Sequence, residues 1–184
     1  MKRRDVLRGL AASPLLMTAN ALGQKPQPTF EHGVASGDPD HTSVVIWTRV
    51  SQVSEPQTVL WQVSKSATFD QIIASGETIT NEYFDYTVKV VVEGLKANNR
   101  YHYRFQCGPT VSVTGMTRTL PMGRLDTLGL AIASCSNYAF GYFNAYDAIA
   151  KDEAVDFVLH LGDYLYEYSA TEWGAQEGLR LNRS

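Results

Sequence analysis

Two short stretches concentrate the side chains capable of chemistry: Ser134-Cys135-Ser136 and Gly162-Asp163-Tyr164-Leu165-Tyr166. Each follows an apolar, β-prone run, so a thiol, a carboxylate and a phenol gather just beyond strand ends. A thiolate and a phenolate are anionic, charge-donating ligands, and the pairing points to ferric iron more than to zinc. An aspartate has two oxygens and can bridge two ions. A pair of ions clamps the attacking and leaving oxygens of phosphoryl transfer. Tyr166 lies three residues past Asp163, about one turn of a tight loop or helix start, so both can face the same ion. Tyr164 and Tyr168 compete for the phenol's role, and packed or stacked aromatics are the usual case for tyrosine. Taken alone, strand-Gly-Asp is a weak signal, because Gly-Asp is also a routine turn. Cys135 has two bland alternatives, a small buried hydrophobe or a disulfide to Cys107 outside the cytoplasm.

The elements that must position these groups follow from the flanking pattern. Leu128 to Ala133 is a nearly continuous apolar run, and Val155 to Leu161 is a second. Between them Phe143 to Lys151 has the spacing of an amphipathic helix, with Phe143, Tyr146, Ile149 and Ala150 assigned to one face. Strand, crossover helix and strand make a βαβ unit with parallel pairing and a right-handed connection. In open α/β sheets, sites form outside the carboxyl ends of the strands. Cys135 and Asp163 are therefore expected on one edge, with Gly162 allowing a sharp turn. His160 reads as a core or supporting residue, Cys107 as structural, and Asn137 and Tyr138 as residues of the substrate side. Parallel sheets need both faces covered, so this unit reads as the start of an α/β domain.

The preceding segment is different. Val44–Val50, Val59–Val63, Tyr86–Val92 and Tyr101–Phe105 are β-branched or alternating runs separated by turn clusters such as Ser36-Gly37-Asp38-Pro39-Asp40. About seven short strands in roughly 90 residues predict a β-sandwich of immunoglobulin or fibronectin type III size. Gly94-Leu95-Lys96 leading to Tyr101-His102-Tyr103 resembles the fibronectin type III pattern, in which the first Tyr makes a corner hydrogen bond. The usual Pro after the Leu is missing. His102 is then an outward strand residue, and His32 and His41 lie in loop-like sequence without partners at metal-ligand spacing.

The chain has 184 residues, 44% apolar and 19% charged, with a formal net charge of −3. That composition is globular, and the charge offers no basic field for nucleic acid. Two cysteines exclude a disulfide framework. The opening Met1-Lys2-Arg3-Arg4-Asp5, a modest apolar run and Ala19-Asn20-Ala21 resemble a twin-arginine export signal over residues 1–23. The run is too short to span a bilayer. The expectation is a periplasmic or extracellular protein carried by the twin-arginine machinery.

Longer motifs make the reading specific. Phe30-x-x-Gly33-Val34-Ala35-Ser36-Gly37-Asp38-Pro39 and Val45-Ile46-Trp47-Thr48-Arg49 resemble the N-terminal domain of PhoD-type alkaline phosphatases. Ala133 to Tyr138, Gly141 to Tyr146 and Asp156 to Tyr168 resemble the start of their catalytic domain. The resemblance implies a phosphomonoesterase or phosphodiesterase with a ferric ion and calcium. It implies iron ligation by Cys135 and Tyr166, and Asp163 bridging iron and calcium. The family's later Asn, Asp and His ligands have no matching positions here. The reading is a signal (1–23), a fibronectin III-like β-sandwich (28–119) and the start of a metallophosphatase domain (126–184), a fragment expected to be inactive alone. The rival is an exported β-sandwich binding module with a non-functional remnant tail.

Overall fold

The computed structural model describes residues 27–139, 141–169 and 171–172. The export-signal segment lies outside the described residues. Strands β1 (Val34–Gly37), β2 (Val44–Arg49), β3 (Gln57–Ser64), β4 (Ile72–Thr80), β5 (Thr87–Val92), β6 (Arg100–Cys107), β7 (Thr110–Val111) and β8 (Gly115–Arg118) come first. They form one sheet in the order β1-β2-β5 and another in the order β4-β3-β6-β7, with β8 also on β6. Every pairing between these strands is antiparallel. This is the expected β-sandwich.

Alternation explains its core. In β2, Val44, Ile46 and Thr48 point inward, and in β6 so do Tyr101, Tyr103, Phe105 and Cys107. They meet Val59, Val63, Val88 and Val92 from the partner strands in one buried cluster. Burying each such aliphatic side chain is worth about 1.5–3 kcal/mol. Thr48 satisfies its buried hydroxyl by donating to the Gly33 carbonyl at 2.8 Å. The tyrosine corner forms as expected: Tyr101 Oη accepts from the Lys96 amide at 2.8 Å. His102 lies on the outward face of β6, half-buried. Gly115 stands opposite Tyr103, where a Cβ would come within 2.3 Å of the ring. Strand β4 was not singled out in the sequence, because its exposed Ile72, Ile73 and Ile79 are interrupted by Ser75 and Gly76.

Beyond Thr119 come β9 (Leu130–Ala133), α1 (Asn144–Lys151) and β10 (Phe157–His160). β10 pairs with β9 in parallel, Phe157 opposite Leu130 and His160 opposite Ala133. The βαβ expectation holds, so the chain is a β-sandwich followed by a partial α/β unit. The helix begins one residue later than the sequence pattern suggested. Phe143 is its N-cap, in the left-handed region at φ 53°, and has no capping side chain. Phe143, Tyr146 and Ile149 are half-buried, whereas Ala150 is exposed. The short helix therefore turns a narrower face inward than expected.

One carboxylate fastens the two parts. Asp156, just before β10, forms an ion pair with Arg118 of β8. It lies 4.0 Å from the Arg100 guanidinium of β6 and accepts from the Gly129 amide at 3.2 Å. Its side chain is only 13% exposed. Above it a cleft of about 420 Å³ runs between Ser36–Pro39 of the sandwich and Ile149, Ala150 and Phe157 of the α/β unit.

Candidate metal centre

The two chemistry-bearing stretches leave the same edge of the parallel pair and remain paired beyond the regular strands. The Cys135 amide donates to the Gly162 carbonyl at 3.3 Å, and the Ser136 amide to the Asp163 carbonyl at 3.1 Å. Further on, the Tyr166 amide donates to the Ser136 carbonyl at 2.7 Å and the Tyr138 amide to the Tyr166 carbonyl at 3.0 Å. Asn137 and Tyr166 thus form a parallel bridge. Tyr166 sits on extended backbone, not on the helical turn considered from its spacing. It still reaches the shared point because the loops run side by side.

Turn geometry then aims the side chains. Gly162 takes φ 104°, and the non-glycine residues Cys135 and Asp163 take φ 58° and 49°. Left-handed backbone is costly for residues with a Cβ and persists only where its surroundings hold it. Cys135 Sγ lies 3.8 Å from Asp163 Oδ2, and Tyr166 Oη lies 3.6 Å from Cys135 Sγ. Cys135 and Asp163 are exposed and Tyr166 is half-buried. The Tyr166 phenol is pushed well above its ordinary pKa, first by its hydrogen bond to Cys135 and then by that to Asp163. Three acidic groups facing one another favour the protonated phenol, and a cation among them would reverse that preference.

The donor set fits a first-row metal ion. Sulfur and oxygen ligands sit about 2.3 Å and about 2.0–2.2 Å from such an ion, which separates a cis or trigonal pair by about 3.1–3.8 Å. The distances from Sγ to both oxygens fall in that range. Calcium requires six to eight oxygens. Among the described residues no group of three or more His, Cys, Asp and Glu side chains converges on a point. Asp163 is the sequence-predicted calcium ligand, and one carboxylate falls short of that shell.

The other residues singled out in the sequence sort clearly. Cys107 is buried, Cys135 exposed, and both are free thiols, so the disulfide alternative is not realised. Burial pushes the Cys107 thiol up, and it donates to Gln57 Oε1 at 3.4 Å. Asn137 uses its side-chain oxygen locally, accepting from the Ala139 amide at 3.0 Å. Tyr138 is exposed beside the bridge. His32 contacts Arg49 at 3.1 Å. His160 does not simply fill the sheet: it bonds Tyr146, a residue that sequence reasoning assigned only to a helix face.

Comparison with known proteins identifies the family. Residues 17–121 match the family described as PhoD-like phosphatase, N-terminal domain, and residues 130–183 match PhoD-like phosphatase. Alkaline phosphatase D of Bacillus subtilis (strain 168) is 38% identical over 159 residues, covering 81% of this chain and 27% of that protein. The chain thus spans about a quarter of that relative's length. A solved structure of PhoD superposes with a TM-score of 0.71 at 38% identity, covering 82% of this chain and 30% of that one. Over both its β-sandwich and its α/β unit, the chain belongs to the PhoD-like phosphatase family.

Proposed function

We propose that the chain carries the iron side of a phosphoric ester hydrolase centre, with Cys135, Asp163 and Tyr166 as ligands. The observation carrying this reading is the convergence of a thiol, a carboxylate and a phenol within 3.8 Å on one strand edge. Family membership supports phosphate esters as the substrate class. When bound, iron would supply positive charge that polarises a phosphoryl oxygen and stabilises the charge of phosphoryl transfer. The protein's own part is to aim donors. Cys135 and Tyr166 offer a thiol and a phenol from opposite loops, and Asp163 places Oδ2 3.8 Å from the sulfur. No step is assigned to calcium, because the described residues do not build its shell.

We read residues 28–119 and 126–184 as separate domains, the first a scaffold and the second the metal-bearing unit. We also propose export through the twin-arginine route, on the strength of Arg3-Arg4 and the modest apolar run that follows. Among the described residues no helix is long and apolar enough to cross a membrane. Among the described residues three ligands leave iron under-coordinated, so the chain alone is expected not to turn over substrate. The rival reading, a binding module, draws on one observation: among the described residues, nearly all buried side chains belong to the sandwich.

The test is iron uptake by the purified chain, followed by phosphate addition and a p-nitrophenyl phosphate assay with iron and calcium. The proposal predicts that ferric iron binds, that inorganic phosphate perturbs its absorption and that Cys135→Ala abolishes uptake. Absence of uptake favours the module. Phosphate release that survives Cys135→Ala removes the ligand assignment.

A further inference from the structure

Behind the donors runs a second line of polar side chains that they do not use. Tyr146 of the crossover helix shares a hydrogen bond with Ser136 Oγ, and its hydroxyl lies 2.9 Å from His160 Nε2. His160 Nδ1 accepts from the Gly162 amide at 3.3 Å. That amide sets the direction of the whole line. A lone pair on Nδ1 puts the imidazole proton on Nε2, which donates to the Tyr146 oxygen, and the phenolic proton then goes to Ser136. Ser136 adjoins Cys135 in sequence, and Gly162 adjoins Asp163. The line therefore begins beside one donor and ends beside another.

We propose that Tyr146 is a positioning residue for the metal-bearing edge. Its hydroxyl ties the loop after β9 to the loop after β10, through Ser136 on one side and His160 on the other. The inference rests on reading Cys135, Asp163 and Tyr166 as ligands. Three observations favour positioning over simple packing. Helix α1 contains no buried residue, so Tyr146 is not filling a core. Ser136 is only 9% exposed in a unit otherwise almost without buried side chains, so its hydroxyl needs a partner. The Tyr146 and His160 rings lie 21° from parallel with centroids 6.3 Å apart, and Tyr164 closes edge-on at 5.1 Å, which limits how far the imidazole can swing.

Amide hydrogen exchange on the metal-free 184-residue chain tests the device without any bound ion. Tyr146→Phe removes one oxygen. The Tyr138 and Tyr166 amides, which bond across the two loops, should then exchange roughly tenfold faster. The Val63 and Tyr103 amides of the sandwich should not change. Ser136→Ala cuts the same line from its other end and should give the same acceleration, with little added in the double variant. Tyr164→Phe is the control and should leave exchange unaltered. In ferric iron titrations Tyr146→Phe should weaken uptake roughly tenfold while preserving the phenolate-to-iron absorption band, because Tyr166 is intact. Unaltered exchange in both Tyr146→Phe and Ser136→Ala, with normal iron uptake, overturns the positioning role alone. A wild-type chain that takes up no iron overturns the ligand reading, and with it any role for Tyr146 toward a metal.

Discussion

The sandwich and the βαβ unit are stabilised in opposite ways. In the sandwich, Val44, Ile46, Val59, Val63 and Phe105 are fully buried, and the buried hydroxyls of Thr48, Ser64, Thr80 and Thr119 donate to backbone carbonyls. In the α/β unit no residue of β9, α1 or β10 is buried. Leu130, Ile132, Val158 and Leu159 are each at least half exposed. Its order comes from backbone hydrogen bonds between two loops and from polar side chains that hold those loops together. The lesson is a division of labour. Apolar burial makes the frame, and the unit with the proposed ligands is anchored to that frame through the Asp156–Arg118 ion pair.

Substitutions can break that contrast. The largest effect is expected from Phe105→Ala, about 3–5 kcal/mol of stability lost, read by denaturant unfolding. If the loss were below about 1 kcal/mol, the sandwich would not be the stabilising unit. Next comes Asp156→Ala, which removes the Arg118 ion pair and the acceptor of the Gly129 amide and should cost about 1–3 kcal/mol. It should expose the segment between residues 120 and 129 to limited proteolysis while leaving exchange protection in β2 and β6 intact. Equal loss of protection in both regions would show one cooperative unit instead of a frame and an attachment.

Tyr101→Phe deletes the corner hydrogen bond and should cost about 1 kcal/mol, confined to the sandwich. Cys135→Ala should change stability by less than about 0.5 kcal/mol while removing iron uptake. The smallest effect belongs to Asp85 on the sandwich surface. Its hydrogen bond to Arg49, 2.7 Å away, holds its carboxyl below the usual range. A lowered folded-state pKa stabilises above the unfolded value and loses that contribution as the pH falls through the folded value. Asp85→Asn should therefore lower the thermal midpoint slightly at pH 7, with the gap from wild type closing below about pH 4.

How much of this was legible in the sequence depends on period and locality. Alternation in 44–50 and 101–105 fixed which side chains face inward, and the Tyr-x-Tyr spacing announced the corner. The βαβ unit was legible because two apolar runs flank one amphipathic stretch. Cys135 and Asp163 could be singled out because each follows a strand closely, whereas Tyr166 was preferred to Tyr164 and Tyr168 only on the family resemblance. What stayed hidden was non-local or unpatterned. Strand β4 has exposed isoleucines and a Gly76 that a Cβ would drive into the Trp61 ring, so neither its burial nor its composition marks a strand. The extended path through Tyr166 depends on pairing with Asn137, thirty or so residues upstream. Tyr146 looked like one more apolar position, because nothing local shows that its hydroxyl meets Ser136 and His160.

The central claim is that thiol, carboxylate and phenol act together as ligands on one edge. The direct measurement is visible absorption of the chain titrated with ferric iron, in wild type and in Tyr166→Phe, Tyr164→Phe and Tyr168→Phe. The prediction is a phenolate-to-iron band in wild type that vanishes in Tyr166→Phe and persists in the other two. Failure of the wild-type chain to take up iron, or a band that survives Tyr166→Phe, would contradict it.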